Sequence, residues 1–216
     1  MLVNRARGAR RLRSLMDIDM DIEIRPEAIT ALTAYGAIPI AFEVAEVYDV
    51  TAAPDGGAPF VLTAHPVVAY IKDYDARDAE GPAGWPQRFD IMNWGFFAAY
   101  ADGQRIGGAA VAYATPAVDM LEGRLDLAAL WDIRVAPVAR RGGVGTALFR
   151  AAERWASAKG CRQLKVETQN INVAACTFYA RQGCNLRAVQ RGVYPGLPNE
   201  IQFLWYKDLV SSATAG

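Results

Sequence analysis

A chain of 216 residues is long enough to bury a core, and one domain is the simplest expectation. Lysine plus arginine and aspartate plus glutamate each number 23, so the formal charge is zero and no overall field favours nucleic acid or an anionic membrane. The single histidine excludes a multi-histidine metal site, and no apolar run reaches the roughly 20 residues of a spanning helix. We therefore expect no metal, no nucleic acid and no membrane partner.

The chain begins with a basic stretch. Five arginines fall within the first thirteen residues, but no apolar segment follows them, so a secretory signal is not supported. A flexible tail is the expectation, and a basic arm for an anionic partner is the alternative. We predict a tail over residues 1–22, a single domain over 23–210 and a second tail over 211–216.

The first half of the chain has weaker patterns. Residues 23–33 predict one short strand or helix, residues 38–50 alternate as a strand does, and residues 54–57 predict a turn. His65 precedes a proline and is expected in a loop. The acidic run at 72–80 predicts a solvated face, and the alternative is that it lies beside a cationic substrate.

The pattern becomes clearer after residue 89. An Asp-Gly pair between two apolar runs, residues 93–100 and 106–115, predicts a β-hairpin. Residues 127–136 predict a strand that is buried on both faces. That strand should end at Pro137, which cannot donate a hydrogen bond to a sheet.

The apolar spacing changes to that of a helix at Val144, and Gly160 can end that helix. Residues 164–168 then alternate as a strand, and Asn172 can cap a second helix. Two further strands are predicted at 186–194 and 201–206. Because a strand–helix–strand crossover joins parallel strands, we predict an α/β or α+β sheet with a parallel pair at its centre.

A glycine-rich loop joins the central strand to its helix and reads RRGGVGT over residues 140–146. It lacks the lysine of a Walker A loop, and Leu148 stands where a dinucleotide fingerprint has its third glycine. Glycines allow successive backbone N–H groups to face one anion, and the helix N-terminus and two arginines add positive charge. The loop predicts a pyrophosphate cradle, and a glycine-rich turn without a ligand is the alternative.

This loop resembles the acetyl-CoA site of the GNAT N-acetyltransferase superfamily, whose signature is Arg/Gln-x-x-Gly-x-Gly/Ala. Asn172 and the segment FYARQG at 178–183 resemble the next motif of that family. Between residues 127 and 209 the chain also looks like the streptothricin acetyltransferases, which acetylate an amine of a cationic antibiotic; the stretches that carry this likeness are DIRVAP, GVGTAL, AERWA, LKVETQNINVAACTFYARQG and NEIQFLWYKDL. The resemblance implies a GNAT fold: a mixed, mostly antiparallel sheet with a splayed parallel pair, flanked by helices.

The resemblance also implies acetyl-CoA as cosubstrate. The backbone of residues 133–135 would pair with the pantetheine arm, residues 140–146 would hold the pyrophosphate, and three residues of the second motif would lie along the arm. The implied cofactor-binding residues are Ile133, Arg134, Val135, Arg140, Arg141, Gly142, Gly143, Val144, Gly145, Thr146, Asn172, Ala175 and Tyr179.

Acetyl transfer to an amine needs help with protons, because only about one alkylammonium group in a thousand is neutral at pH 7. Asp132 is the first candidate base and Glu167, on the adjacent predicted strand, is the second; a buried structural carboxylate is the alternative for Asp132. Tyr179 is the candidate acid for the leaving thiolate, and aromatic packing is its alternative role. A backbone N–H near Val135 would polarise the carbonyl.

The three cysteines, Cys161, Cys176 and Cys184, form no CxxC pair. Their odd number suits reduced thiols that pack as small apolar residues, and it predicts a cytoplasmic protein. Neither Cys176 nor Cys184 has a histidine near it in sequence, so direct transfer is preferred to an acyl-enzyme.

We predict an acetyl-CoA-dependent N-acetyltransferase that acts on a primary amine of a small cationic molecule. A streptothricin-type antibiotic is the sharpest candidate for that substrate. Two alternatives stay open, namely an acetyltransferase for a protein N-terminus or lysine and a CoA-binding regulatory module without catalysis. A homodimer is an open alternative to a monomer.

Overall fold

The computed structural model describes residues 21–52, 60–78 and 80–209. Most of the predicted N-terminal tail, the predicted turn at 54–57 and the predicted C-terminal tail lie outside these described residues. Within the three described stretches, no helix has both the length and the apolar character needed to cross a membrane.

The described residues form nine strands and four helices. The strands are β1 (Glu23–Pro26), β2 (Phe42–Ala52), β3 (Phe60–Lys72), β4 (Gly95–Ala101), β5 (Gln104–Ala112), β6 (Leu127–Val135), β7 (Gln163–Gln169), β8 (Asn185–Arg191) and β9 (Ile201–Asp208). The helices are α1 (Leu32–Gly36), α2 (Trp85–Arg88), α3 (Val144–Ala158) and α4 (Val173–Arg181).

Seven of these strands make one sheet in the order β1-β4-β5-β6-β7-β9-β8, while β2 and β3 form a separate two-stranded ribbon. Only β6 and β7 run parallel within the described sheet, because α3 crosses over between them. Each of the other pairs is antiparallel. The predicted mixed sheet with a central parallel pair is therefore confirmed.

The two parallel strands separate halfway along their length. Their pairing ends where Leu130 lies opposite Val166, and a bulge in β6 follows immediately, at Trp131. Beyond the bulge, β6 stays beside β5 as far as Val135, whereas β7 stays beside β9 as far as Gln169. The sheet therefore opens into a V at the carboxyl ends of its central strands.

Side chains on the two faces of the sheet form two cores. Helix α3 covers one face with an apolar stripe that includes Val144, Leu148 and Ala152, all nearly inaccessible to solvent. Burial of such a leucine stabilises the fold by about 2 kcal/mol. The other face packs a second core, which contains four aromatic residues among its eleven buried members, including Tyr35 and Trp94. Both cores hold the central strands, and hence the V between them, in place.

Two predictions about the first half of the chain were wrong. His65 lies within β3, opposite Val47, rather than in a loop. The proline after it is accommodated because β2 and β3 shift register close by, between Val44 and Glu46, where the ladder is interrupted. Residues 23–33 also contain more than one element, since β1 ends at Pro26 and a short turn leads into α1.

The acidic run at 72–80 is not mainly a solvated face, so that prediction also fails. Lys72 forms a buried ion pair with Glu200 at 2.5 Å, and Asp75 binds Arg134 through both carboxylate oxygens, at 2.7 and 2.9 Å. Tyr74, between them, contacts the central cleft. These partners are distant in sequence, so the composition of the run did not reveal them.

Candidate active site

A cleft of about 1160 Å³ opens where β6 and β7 separate. Residues of both strands line it, together with the loop before α3, helix α4 and the start of β2. Of the predicted cofactor-binding residues, all but Gly142 and Val144 line this cleft, and so do the candidate catalytic residues Asp132, Glu167 and Tyr179. Val144, the first residue of α3, is instead buried in the core that the helix covers. Tertiary folding thus brings both motifs of the sequence to one place.

The loop before α3 presents backbone donors to the cleft. The N–H groups of residues 143–146 have no hydrogen-bond partner among the described residues, and no side chain caps α3. Gly143 precedes the helix with a φ of 87°, a conformation that favours glycine. At Gly145 an added Cβ would meet the Phe178 ring at an ordinary 3.5 Å, so protein packing does not require glycine there. Free donors at a helix N-terminus suit a phosphate group.

The two arginines of this loop differ in their surroundings. The Arg140 guanidinium donates to the carbonyl of Val135 at 3.2 Å and to the carbonyl of Ala41 at 2.9 Å, so it braces the loop against the chain before β2. Arg141 is exposed and has a φ of 64°, which is uncommon for a residue with a side chain. Both arginines line the same cleft as the loop.

One edge of β6 is available to an extended ligand. Beyond Leu130 the strand has no described partner on the β7 side, although its other edge remains paired with β5 up to Val135. Ile133 and Val135 line the cleft along this edge. Backbone amides on an unpaired strand edge can pair with an extended molecule that carries its own amides.

Tyr179 projects from α4 and is 5% exposed. Its ring packs against Phe149 and Phe178, while the residue also lines the cleft. No described residue hydrogen-bonds to its hydroxyl. Burial raises the pKa of Tyr179 well above its ordinary value, and the nearby Cys184 and Asp132 raise it further. The phenol therefore keeps its proton across the physiological range.

Asn172 begins α4, as predicted. Its side-chain oxygen accepts the N–H of Ala175 at 3.1 Å, so it caps the helix. Both residues line the cleft beside the free edge of β6. The cap fixes the orientation of α4 and therefore the position of Tyr179 two turns later.

Asp132 lies within a buried hydrogen-bonded network. It accepts the Tyr35 hydroxyl at 2.6 Å and an Arg134 N–H at 3.0 Å, and Arg134 in turn binds Asp75. Burial raises the pKa of Asp132, while the charge of Arg134 acts in the opposite direction. These two partners match the alternative stated for Asp132 in the sequence analysis, which is a buried structural carboxylate.

Glu167 has different partners. One carboxylate oxygen accepts the Tyr194 hydroxyl at 2.7 Å and a Gln169 N–H at 3.3 Å, and the other accepts the Gln202 amide at 2.7 Å. All of these donors are neutral. Within the described part of the chain, no lysine, arginine or histidine forms an ion pair with this carboxylate.

Three tyrosines at the site were missed by sequence reasoning. Tyr35 binds Asp132, Tyr74 binds Gln169, and Tyr194 binds Glu167. Tyr35 belongs to α1 and the other two to connecting segments, and each is far along the chain from its partner. The one local signal was the aromatic ring of Tyr74 within an otherwise charged run.

The comparisons with known proteins agree with this geometry. Residues 68–184 match the model of the acetyltransferase (GNAT) family. The chain belongs to the GNAT family. That membership confirms the sequence-based assignment, and the GNAT fold predicted for the chain is confirmed with it.

Known relatives place this GNAT protein near the streptothricin acetyltransferases. It is 30% identical to the streptothricin acetyltransferase of Streptomyces lavendulae over 169 residues, which cover 78% of this chain and 84% of that protein. It is 40% identical to streptothricin acetyltransferase A of Bacillus subtilis over 93 residues, which cover 39% of this chain and 54% of the relative. The match to the second relative thus spans about half of its length.

A solved structure supports the same placement. A Bacillus anthracis protein assigned to the streptothricin acetyltransferases, in complex with acetyl coenzyme A, superposes with a TM-score of 0.71 at 25% identity. The superposition covers 87% of this chain and 99% of that structure. Together, these relatives confirm the prediction of an acyltransferase enzyme.

Proposed function

We propose that this protein is an acetyl-CoA-dependent N-acetyltransferase that transfers the acetyl group directly to a primary amine of a small cationic molecule. One observation carries the proposal: a single cleft joins the N-terminus of α3, with its free N–H groups, to Tyr179 along the unpaired edge of β6. The streptothricin acetyltransferases among its relatives make a streptothricin-type antibiotic the first candidate substrate.

The described residues fit the proposed cosubstrate. The free N–H groups of residues 143–146, with Arg140 and Arg141, would hold the pyrophosphate. The backbone of residues 133–135 would pair with the amides of the pantetheine arm, and Asn172 and Ala175 would lie on its other side. Acetyl-CoA, when bound, supplies the acetyl group as a thioester.

Two donors would assist the transfer. Tyr179 keeps its proton and can give it to the sulfur that leaves as a thiolate. A backbone N–H of β6 near Val135 can donate to the carbonyl oxygen as negative charge develops there. Because the thiols of Cys176 and Cys184 are buried, with raised pKa values, the acetyl group would pass directly to the amine.

The amine must lose a proton before or during attack. Asp132 is already hydrogen-bonded to Tyr35 and Arg134, so we propose that it holds β6 in place and does not act as the base. Glu46, on β2, also lines the cleft but is exposed, whereas Glu167 is partly buried and has no cationic partner in the described chain, so we assign Glu167 to the acceptor. An ordinary carboxylate is a weak base, so a water beside Glu167 would carry the proton away.

Incubation of the protein with acetyl-CoA and a panel of amines, including a streptothricin, tests the proposal. We expect release of free CoA thiol that depends on the amine, together with a product that has gained one acetyl group by mass spectrometry. Acetyl-CoA binding without turnover of any amine would contradict the proposal and favour a regulatory CoA-binding module. Turnover confined to peptides with a free N-terminus or lysine would favour a protein acetyltransferase.

A further inference from the structure

Among the carboxylates that line the cleft, Glu46 is exposed, whereas Glu167 is partly buried and its hydrogen-bond donors are all neutral. Asp132, on the facing strand, has Arg134 at 3.0 Å. Glu167 has the hydroxyl of Tyr194 and the amides of two glutamines. Partial burial of an anion without an opposite charge is unfavourable, and the arrival of a cation removes that cost.

The side of β7 on which Glu167 lies follows from the alternation of the strand. The neighbouring Thr168 contacts the Cys176 thiol of α4 at 3.3 Å, so it points towards that helix. Glu167 and Gln169 therefore point to the opposite side of the sheet, where Tyr74 hydrogen-bonds to Gln169. The proposed route of the cosubstrate runs between β6 and α4, which leaves this opposite side to the acceptor.

Tyr194 reaches Glu167 from the connection between β8 and β9. The end of that connection is held by the buried ion pair of Glu200 with Lys72, at 2.5 Å. Burial raises the pKa of Tyr194, and the charge of Glu167 raises it further. Its hydroxyl therefore remains a hydrogen-bond donor, and the carboxylate is held in one orientation.

A second feature of the cleft also indicates a ligand. The Tyr179 side chain is more than nine-tenths buried, lines the same cleft and has a hydroxyl without a partner among the described residues. The hydroxyl is not sealed from the cleft, so a bound molecule can supply the hydrogen-bond partner that it lacks in the described chain. Tyr179 marks the reacting end of the ligand, and Glu167 lines the same cleft with an uncompensated negative charge.

We propose that Tyr194 is a positioning residue, which holds Glu167 as the anion that docks an ammonium group of the acceptor. The inference rests on the proposed function, and it assigns the β8–β9 connection a role in acceptor affinity. The acceptor class that fits is an amine that is protonated when it binds. Gln202 supports the same carboxylate from β9.

Replacement of Tyr194 by phenylalanine tests this role. Loss of a hydrogen bond to a charged group should raise the KM for a protonated alkylamine about tenfold, with kcat and the Kd of acetyl-CoA changed by less than about twofold. The KM for an arylamine acceptor, which is uncharged at neutral pH, should not change. Glu167→Gln keeps the size of the side chain and should raise the KM for the protonated amine but not that for the arylamine. Because it also removes the carboxylate beside the proposed water, its kcat should fall for both acceptors.

Tyr206→Phe is the matched control. The Tyr206 hydroxyl also donates to a carboxylate, that of Glu122, but neither residue lines the cleft. This variant should leave both KM values unchanged. If Tyr194→Phe folds poorly, as judged by its thermal melting, Glu167→Gln provides the same comparison.

The possible outcomes separate the inference from the proposed function. Equal KM changes for charged and neutral amines, or a fall in kcat at unchanged KM, would overturn the inference while the enzyme remains an N-acetyltransferase. Failure of the unmodified protein to acetylate any amine would overturn the proposed function, and the inference with it.

Discussion

The Tyr179 side chain combines burial with access to the cleft. Its ring packs against two phenylalanines of α3 and α4, and its hydroxyl has no partner among the described residues. A phenylalanine at this position would make the same ring contacts. The hydroxyl is therefore the part of the residue on which a functional role depends.

Tyr179→Phe should reduce kcat by about a hundredfold, because it removes a positioned proton donor but preserves the ring contacts. The Kd of acetyl-CoA should change little. Steady-state kinetics and calorimetric titration measure the two quantities. An unchanged kcat would remove Tyr179 from the proposed chemistry.

The raised pKa of Tyr179 also predicts a pH profile. Because the phenol stays protonated while more of the amine becomes neutral, kcat/KM for the acceptor should rise between about pH 7 and 9. Rates measured across this range in constant ionic strength test the prediction. A descending limb within it would mean that an essential acid loses its proton much earlier than the structure indicates.

The three buried thiols should react slowly in the folded protein. Burial raises the pKa of Cys161 and Cys176 to about 11 and that of Cys184 to about 12. At pH 8 each thiol is protonated when folded, so labelling by a thiol reagent should require unfolding. Above about pH 9 the unfolded thiols release protons that the folded ones keep, so stability should fall as pH rises. Fast labelling of the native protein at pH 8 would contradict the prediction that these thiols are buried and protonated.

At the scale of elements, helix α3 has a glycine of positive φ at each end. Gly143 precedes its first turn with a φ of 87°, and Gly160 follows its last turn with a φ of 83°. An added Cβ would make no contact closer than 3.8 Å at Gly143 and none within 4 Å at Gly160. The two positions thus share a backbone requirement, but only Gly143 lines the cleft.

Gly143→Ala and Gly160→Ala should each reduce the free energy of unfolding by about 1 kcal/mol, because alanine is strained at positive φ. Only Gly143→Ala should also weaken the binding of acetyl-CoA. Denaturant unfolding and calorimetry compare the two variants. Equal loss of acetyl-CoA affinity in both would show that the loop acts through helix stability rather than through contact with the cosubstrate.

At the scale of the whole molecule, Arg134 joins parts that are far apart in sequence. Its buried guanidinium binds Asp132 on its own strand, Asp75 after β3 and the carbonyl of Ile38 after α1. The network also includes Tyr35 through Asp132. The ribbon and the first helix are thereby attached to the central strand next to the cleft.

Arg134→Met should cost about 3–5 kcal/mol of unfolding free energy at neutral pH, because it leaves two carboxylates without their partner. Arg162 provides the control, since its ion pair with Asp126 is on the surface and its side chain is 75% exposed. Arg162→Met should cost at most about 1 kcal/mol. Urea unfolding measures both, and similar losses would mean that the buried network contributes little.

The sequence by itself determined the features that depend on neighbouring residues. The glycine loop before α3, the apolar period of that helix and the Asn172 cap are each encoded within a few positions, because backbone dihedrals and helix periodicity are local properties. The family likeness, which these motifs carry, followed from the same residues. Tertiary structure alone decided the roles of the carboxylates.

The sequence offered both Asp132 and Glu167 as candidate bases, with Asp132 first, since each is an acid on a central strand. Folding added to Asp132, beside Arg134 two positions along its own strand, a tyrosine located 97 residues earlier, and it gave Glu167 only neutral donors, one of them 35 residues later. The strand position of His65 was decided in the same way, by its pairing with β2. The charge and availability of a side chain depend on which groups surround it, and those groups come together only when distant segments pack.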